Sequence, residues 1–321
     1  MQKPSLLVIV GPTASGKTAL AVECAKKFNG EIISADSMQI YKGMSIATAK
    51  PTASEMQGIP HHLIDFLDVA SQYSVAQFVS DAESCCEDII SRGKLPVLAG
   101  GTGLYVDSFV NNIKFSEADS DEDLRKKLSD ELKSVGAEKM LERLAEIDPE
   151  YASKLHPNNE KRIIRAFEIY TLTGKTPTEA VAQSRLEPTK YNCCFIGINY
   201  KNRDVLYDRI NRRVDLMVEN GLIEEAKSYY ALPKKSTASQ AIGYKELKPY
   251  FDGEISLEQA LENLKIGTRH YAKRQLTWFR RNENIKWFYP DEETGDSFYE
   301  KVFDYIKKVI CCLKKRIKYC S

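Results

Sequence analysis

Residues Gly11-Pro12-Thr13-Ala14-Ser15-Gly16-Lys17-Thr18 spell a complete G-x-x-x-x-G-K-[ST] phosphate loop, and the apolar run Leu6-Leu7-Val8-Ile9-Val10 stands directly before it. A buried strand, then this loop, then the helical pattern of residues 19–28 is the setting the motif requires, which sets it apart from a chance glycine-rich turn. Gly11 and Gly16 let the backbone turn tightly, so that successive N–H groups and a helix N-terminus converge on an anion. Lys17 adds a mobile positive charge, and Thr18 places a hydroxyl where a Mg²⁺ ion is expected. The loop does not say which phosphate it takes.

The chain has 321 residues, 43% of them hydrophobic, enough for one large or two smaller globular domains. Lys and Arg total 46 against 45 Asp and Glu, a formal charge of +1, so a nucleic-acid site has to come from local clustering. The eight cysteines, Cys24, Cys85, Cys86, Cys193, Cys194, Cys311, Cys312 and Cys320, include three adjacent pairs and no C-x-x-C spacing. That pattern suits free thiols in a reducing cytoplasm rather than a zinc site or a disulfide framework. With neither a signal-peptide pattern nor an apolar stretch of membrane-spanning length, the expectation is a soluble cytoplasmic protein with no membrane association.

Two further buried strands follow. Glu31-Ile32-Ile33-Ser34-Ala35 ends at Asp36, and Leu95-Pro96-Val97-Leu98-Ala99 runs into Gly100-Gly101-Thr102-Gly103. Strand C-termini line the ligand crevice of an open α/β sheet, so Asp36 and the second glycine-rich turn are expected to face the phosphate loop. Residues 37–44 between them read as a binding loop. His61 and His62 lie in an irregular stretch, and adjacent histidines with no nearby partner favour loop anchoring over metal binding. Ser74 caps a helix that runs to Arg92 and stops at Gly93.

From Glu117 the character changes to short charged helices with few strand signals. The expected organisation is a P-loop NTPase-like core of parallel sheet flanked by helices, residues 1–116 and 192–321, with an inserted helical domain at 117–191. Within the insert Lys161, Arg162 and Arg165 cluster; a solvated face and a ligand-facing role are both open. Strand Cys193-Cys194-Phe195-Ile196-Gly197-Ile198 returns to the core, and a helix over 203–221 carries Arg209 and Arg213 on one face. Between Lys265 and Lys286, Arg269, Lys273, Arg274, Arg280 and Arg281 oppose only Glu283. Lys265, Arg269, Lys273 and Arg280 form a stripe suited to a phosphate backbone, while Leu261, Leu264, Tyr271 and Trp278 form an apolar stripe read as core packing. Residues 298–319 form a basic amphipathic helix with Val302, Tyr305, Ile306, Val309 and Leu313 facing inward.

Kinases built on this loop usually place an acidic Mg²⁺ ligand after a buried strand, but the third strand ends in Gly100-Gly101-Thr102. The carboxylate is instead Asp36, which fits a site where phosphate is a leaving group and the acid handles a proton. At this point the residues resemble one family. The phosphate loop, Asp36-Ser-Met-Gln39-Ile-Tyr41-Lys-Gly43, Ala47-Thr-Ala-Lys-Pro51, Gly100-Gly-Thr-Gly-Leu-Tyr105, Arg209-Ile-Asn-Arg-Arg213 and Ala272-Lys-Arg-Gln-Leu-Thr-Trp278 are similar, in order, to the tRNA dimethylallyltransferases.

The resemblance implies transfer of a dimethylallyl group from dimethylallyl diphosphate to N6 of the adenosine 3′ of a tRNA anticodon, with diphosphate leaving. It implies Asp36 as general base, with Thr102 and Arg213 also catalytic; residues 11–18 hold the diphosphate, and Mg²⁺ sits on Thr18. ATP can occupy the same cradle without being the substrate. Contacts to a flipped base in the anticodon stem-loop fall to Asp36, Ser37, Met38, Gln39, Thr102, Lys161, Arg162, Ile163, Ile164, Arg165, Gln240, Ala241, Ile242, Gly243, Tyr244, Lys245, Arg269 and Lys273, with Arg125 matched to a further tRNA-contacting position. The segment 111–121 departs from the family in lacking a proline-rich transition. The enzyme is expected to be a monomer. The competing readings are a nucleotide or small-molecule kinase, a prenyltransferase acting on free adenylate, and a non-catalytic P-loop RNA-binding module.

Overall fold

A computed structural model describes residues 3–115, 121–232, 237–293 and 295–315, and it divides the chain into two compact units: Met1–Val110 with Lys190–Ser321, and Asn111–Thr189. In the first unit β1 (Ser5–Val10) leads through the phosphate loop into α1 (Lys17–Phe28), followed by β2 (Gly30–Ser34), α2 (Ala53–Met56), β3 (His61–His62), α3 (Val75–Ser91), β4 (Leu95–Gly100) and α4 (Gly103–Val110). The strands pair in the order β3-β2-β4-β1-β5-β6, all parallel, where β5 is Asn192–Ile198 and β6 is Lys286–Phe288. The predicted strands therefore occur with ends shifted by about a residue, as is usual at element boundaries.

Two strands differ from the sequence reading. His61 and His62 pair with Ile32 and Ile33 as an edge strand, and Lys286 opens β6 rather than extending a basic helix. The histidines are anchors, as expected from their chemistry. His62 Nε2 meets Glu31 Oε2 at 2.8 Å, and Arg92, followed by Lys94, closes on the same carboxylate and holds it well below the ordinary carboxylate range.

Strands buried on both faces need continuous apolar runs, and β1 supplies one in which Leu6, Leu7, Val8, Ile9 and Val10 are fully buried. Alternate residues feed opposite cores: Leu6, Val8 and Val10 join Phe78, Ile89 and Phe109, while Leu7 and Ile9 join Leu20, Val22 and Ile196. The Ser74 hydroxyl accepts from the Gln77 amide at the start of α3, the cap its sequence predicts.

The second unit holds α5 (Glu122–Val135), α6 (Ala137–Ile147), α7 (Pro149–Ala152), α8 (Glu160–Thr173) and α9 (Pro177–Ser184) around Leu128, Leu132, Met140, Leu144, Ile163 and Phe167. Its two ends are stitched together. The Lys114 amide donates to the Ser184 carbonyl at 2.9 Å, and the Asn112 side chain donates to Glu187 and to the Pro188 carbonyl at 3.1 and 3.2 Å. Glu117 and Asp119 lie outside the described residues.

The first unit is completed by α10 (Arg203–Glu219), α11 (Leu222–Tyr230), a 3₁₀ turn (Thr237–Gln240), α12 (Tyr244–Phe251), α13 (Leu257–Phe279) and α14 (Asp296–Lys315). Val302 and Ile306 of α14 are buried on the sheet with Tyr305 and Val309 against them, as predicted; the side chain of Leu313 and residues 316–319 lie outside the described residues. Among the described residues no helix is long and apolar enough to cross a membrane.

Candidate active site

The phosphate loop leaves β1 at Val10 and enters α1 through Gly16, whose φ of 94° is left-handed and costs glycine little. Gly16 offers no side-chain cap, so the unpaired amides of the first turn remain open to an anion. The loop is braced from three directions. Lys17 Nζ donates to the Pro12 carbonyl at 2.7 Å, Arg209 Nε donates to the Ala14 carbonyl at 2.9 Å, and the Thr13 amide donates to Gln275 Oε1 at 2.8 Å. Ser15 Oγ is buried without a partner among the described residues, a hydroxyl pointing to no protein acceptor.

Asp36 stands just past the end of β2, as the strand pattern requires. Its Oδ1 accepts the Met38 and Gln39 amides at 2.9 and 3.3 Å, an Asx turn that fixes the carboxylate. Its other oxygen has no hydrogen-bond partner among the described residues. The Thr102 amide donates to the Ala35 carbonyl at 3.1 Å, and Thr102 Oγ1 accepts the Ser37 amide at 3.0 Å, joining the ends of β2 and β4.

These ends enclose a cavity of about 270 Å³. Thr13, Lys17, Thr18, Asp36, Ser37, Met38, Gln39 and Arg213 line it, together with Ala241, Ile242 and Lys245. Thr102 adjoins it: Gly100 and Gly101 just before it line the wall, and its hydroxyl meets both Ser37 and the cavity-lining Tyr271. Burial pushes the Lys17 ammonium down to about 7, with help from the Arg213 charge and against the pull of Asp36. Burial also lowers Arg213, and Asp36 opposes that shift. One carboxylate, Asp36, thus shares the cavity with four basic side chains, Lys17, Arg213, Lys245 and Arg274, the arrangement that separates a proton acceptor from a leaving-group anchor.

Several residues expected to contact RNA are also engaged within the protein. The Gln39 side chain does not point a free edge outward: its Nε2 donates to the Thr48 and Ala49 carbonyls at 3.1 Å each, and its Oε1 faces Ser34 Oγ. Tyr244 is fully buried, with its hydroxyl on Glu225, so only its neighbours Ala241, Ile242 and Lys245 reach the cavity. The Gly243 amide is taken by Glu246, and the Gln240 side chain lies outside the described residues. The basic stripe of α13 is partly neutralised, because Lys265 pairs with Asp215 at 2.6 Å and Arg269 with Glu262 at 2.9 Å. Acids on neighbouring turns and on α10 were invisible to a count made along the stripe. Lys273 is exposed and has no acidic partner among the described residues.

In the second unit Lys161 and Arg162 are exposed and Ile164 is half-buried, while Ile163 is fully buried in that unit's core and presents nothing to a ligand. Arg165 and Arg125 both hold the buried Glu168, at 2.7 and 2.8 Å, and each remains partly exposed.

Sequence reasoning missed three residues. Tyr271 lines the cavity instead of the core. Gln275 is buried; besides accepting the Thr13 amide it donates to the Gly101 carbonyl at 3.0 Å, an approach so close that a Cβ on Gly101 would fall 2.1 Å from its Nε2. Glu225 takes the amides of Ser45, Ile46 and Ala47. The i, i+4 spacing of Tyr271 and Gln275 was the available signal for the first two; Glu225 gave none.

The family model described as IPP transferase matches residues 39–282. A tRNA dimethylallyltransferase of Caldanaerobacter subterraneus is 48% identical over 305 residues, 94% of this chain and 97% of that protein. One from Halalkalibacterium halodurans is 50% identical over 303 residues, 94% of this chain and 95% of that protein. Among solved structures, the full-length tRNA isopentenylpyrophosphate transferase of Bacillus halodurans superposes with a TM-score of 0.75 at 46% identity, covering 98% of this chain and all of the other. A eukaryotic dimethylallyltransferase solved acting on tRNA gives a TM-score of 0.76 at 34% identity, over 89% of this chain and 73% of that one.

Proposed function

The chain belongs to the IPP transferase family, and from that premise we propose that its cavity transfers a dimethylallyl group from dimethylallyl diphosphate to N6 of the adenosine 3′ of a tRNA anticodon, releasing diphosphate. The observation that carries this reading is Asp36, held by two amides through one oxygen and sharing a cavity with Lys17 and Arg213. The adenine amine is a weak nucleophile. Its lone pair forms the bond to the allylic carbon, the carbon–oxygen bond to diphosphate breaks with its electron pair on oxygen, and Asp36 takes the amine proton.

Charge that builds on the departing oxygens meets Lys17, Arg213 and the amides at the start of α1. Thr18 supplies a hard oxygen in the cavity wall, and the described residues contain no group of three His, Cys, Asp or Glu that would hold a metal alone. That donor set fits Mg²⁺ carried by Thr18, substrate phosphates and water. Such an ion supplies charge neutralisation at the leaving group. Thr102 places its hydroxyl beside this site, where it also fixes the Ser37 amide. Lys245 and Lys273 on the first unit, and Lys161 and Arg162 on the second, are exposed cations suited to RNA phosphates.

The test is incubation with dimethylallyl diphosphate, Mg²⁺ and unmodified tRNA. A dimethylallyl mass increase on one adenosine is expected. ATP-dependent phosphorylation without that product would overturn the reading in favour of a kinase.

A further inference from the structure

Glu225 lies outside the cavity, yet it is bound into the wall more heavily than most residues that touch it. Oε2 accepts the amides of Ser45 and Ile46 at 2.8 Å each; Oε1 accepts the Ala47 amide and the Tyr244 hydroxyl at 3.0 Å each. Charge-assisted bonds of this kind are about twice as strong as neutral ones, and three successive amides converge here on one carboxylate. The segment they fix is a tight turn, closed by the Ala49 amide on the Ile46 carbonyl and the Lys50 amide on the Ser45 carbonyl, each at 2.9 Å.

The far side of that turn faces the catalytic loop. The carbonyls of Thr48 and Ala49 hold the Gln39 carboxamide, and the Gln39 backbone amide donates to Asp36 Oδ1. A continuous set of hydrogen bonds therefore leads from Glu225 through the turn and Gln39 to the carboxylate read as the base. We propose that Glu225 is a positioning residue for Asp36, acting through residues 45–49 and Gln39; this rests on Asp36 being the base.

Two residues that act through one another show non-additive effects, and a double-mutant cycle isolates that coupling. Glu225→Ala and the milder Glu225→Gln are each made in the wild-type and Asp36→Asn backgrounds. Single-turnover transfer is measured at saturating tRNA, with tRNA affinity and thermal unfolding followed alongside. Glu225→Ala is expected to slow transfer about 20-fold where Asp36 is present and less than about 3-fold where it is Asn, a coupling within the range found for residues in one network. Glu225→Gln, which keeps one acceptor oxygen, is expected to recover most of the rate and to carry the test if the alanine variant fails to fold.

Equal losses in both backgrounds, or a loss confined to tRNA affinity, would overturn the proposal and leave Glu225 a stabiliser of the fold. The base reading fails separately, through an Asp36→Asn enzyme that transfers at the wild-type rate.

Discussion

Gln275 and Thr13 lie 262 residues apart in sequence, yet the Thr13 amide donates to the Gln275 carboxamide oxygen at 2.8 Å while the Gln275 nitrogen donates to the Gly101 carbonyl. One buried side chain on α13 thus ties the phosphate loop to the turn after β4. Gln275→Leu leaves a buried donor and a buried acceptor unpaired, and each such orphan costs on the order of 1–3 kcal/mol. Denaturant unfolding is expected to show a loss of about 2 kcal/mol or more, with inorganic diphosphate binding weakened in the same variant. An unchanged midpoint would remove Gln275 as the clasp.

Asp36→Asn preserves an oxygen for the Met38 and Gln39 amides but cannot accept a proton. Single-turnover transfer is expected to fall about 10²–10⁴-fold, the usual range for a general base, with tRNA affinity nearly intact. Filter binding and rapid quench separate the two.

The Lys17 ammonium titrates near 7 in the folded protein against an ordinary value of 10.5. Between those values the unfolded chain holds a proton that the folded one lacks, so the stability contributed here rises as pH climbs from about 7 toward 10.5. An anion in the loop reverses the balance by favouring the charged amine. Diphosphate binding near pH 8 is therefore expected to take up a proton at Lys17 and to weaken as pH rises. Calorimetry in buffers of different ionisation enthalpy measures the uptake, and Lys17→Met should abolish the part that belongs to this group.

Charge reversal at Lys273 and at Arg269 should not be equivalent. Lys273 is exposed without an acidic partner among the described residues, whereas Arg269 already pairs with Glu262. Lys273→Glu is expected to weaken tRNA binding and reduce the slope of log affinity against log salt by about 1. Arg269→Glu should change that slope less. Identical slopes in the two variants would put both residues on the same footing.

Gly103 packs so tightly on the Trp278 indole that a Cβ there would fall 2.3 Å from Cδ1. Gly103→Ala must displace that ring, whose Nε1 donates to Asp107 at 2.6 Å. A loss of about 1–3 kcal/mol is expected, the usual cost of overpacking, read as a lower melting temperature.

The frame of the site was legible because its parts are local. The apolar run before Gly11, the glycines at positions needing tight turns, and Asp36 at a strand end each announce themselves within a few residues. What stayed hidden depends on pairing across long separations. Glu168 pairs with both Arg125 and Arg165, and Glu262 pairs with Arg269, links that a count along one helix face does not show. Tyr244 reads as a polar aromatic in a turn, but its hydroxyl is satisfied by Glu225 and its ring is buried. The short strand β6 has too few residues to show a period, and only its parallel register with Ile196, Gly197 and Ile198 defines it.

The stitched ends of the second unit bear on how this chain is built and rebuilt. Because Lys114 meets Ser184 and Asn112 meets Glu187, the entropy of bringing that segment's termini together is met by bonds within the segment itself. Such a segment behaves as a cassette. Its amides are expected to exchange with solvent as a protection class of their own, set by the opening of this unit rather than of the sheet.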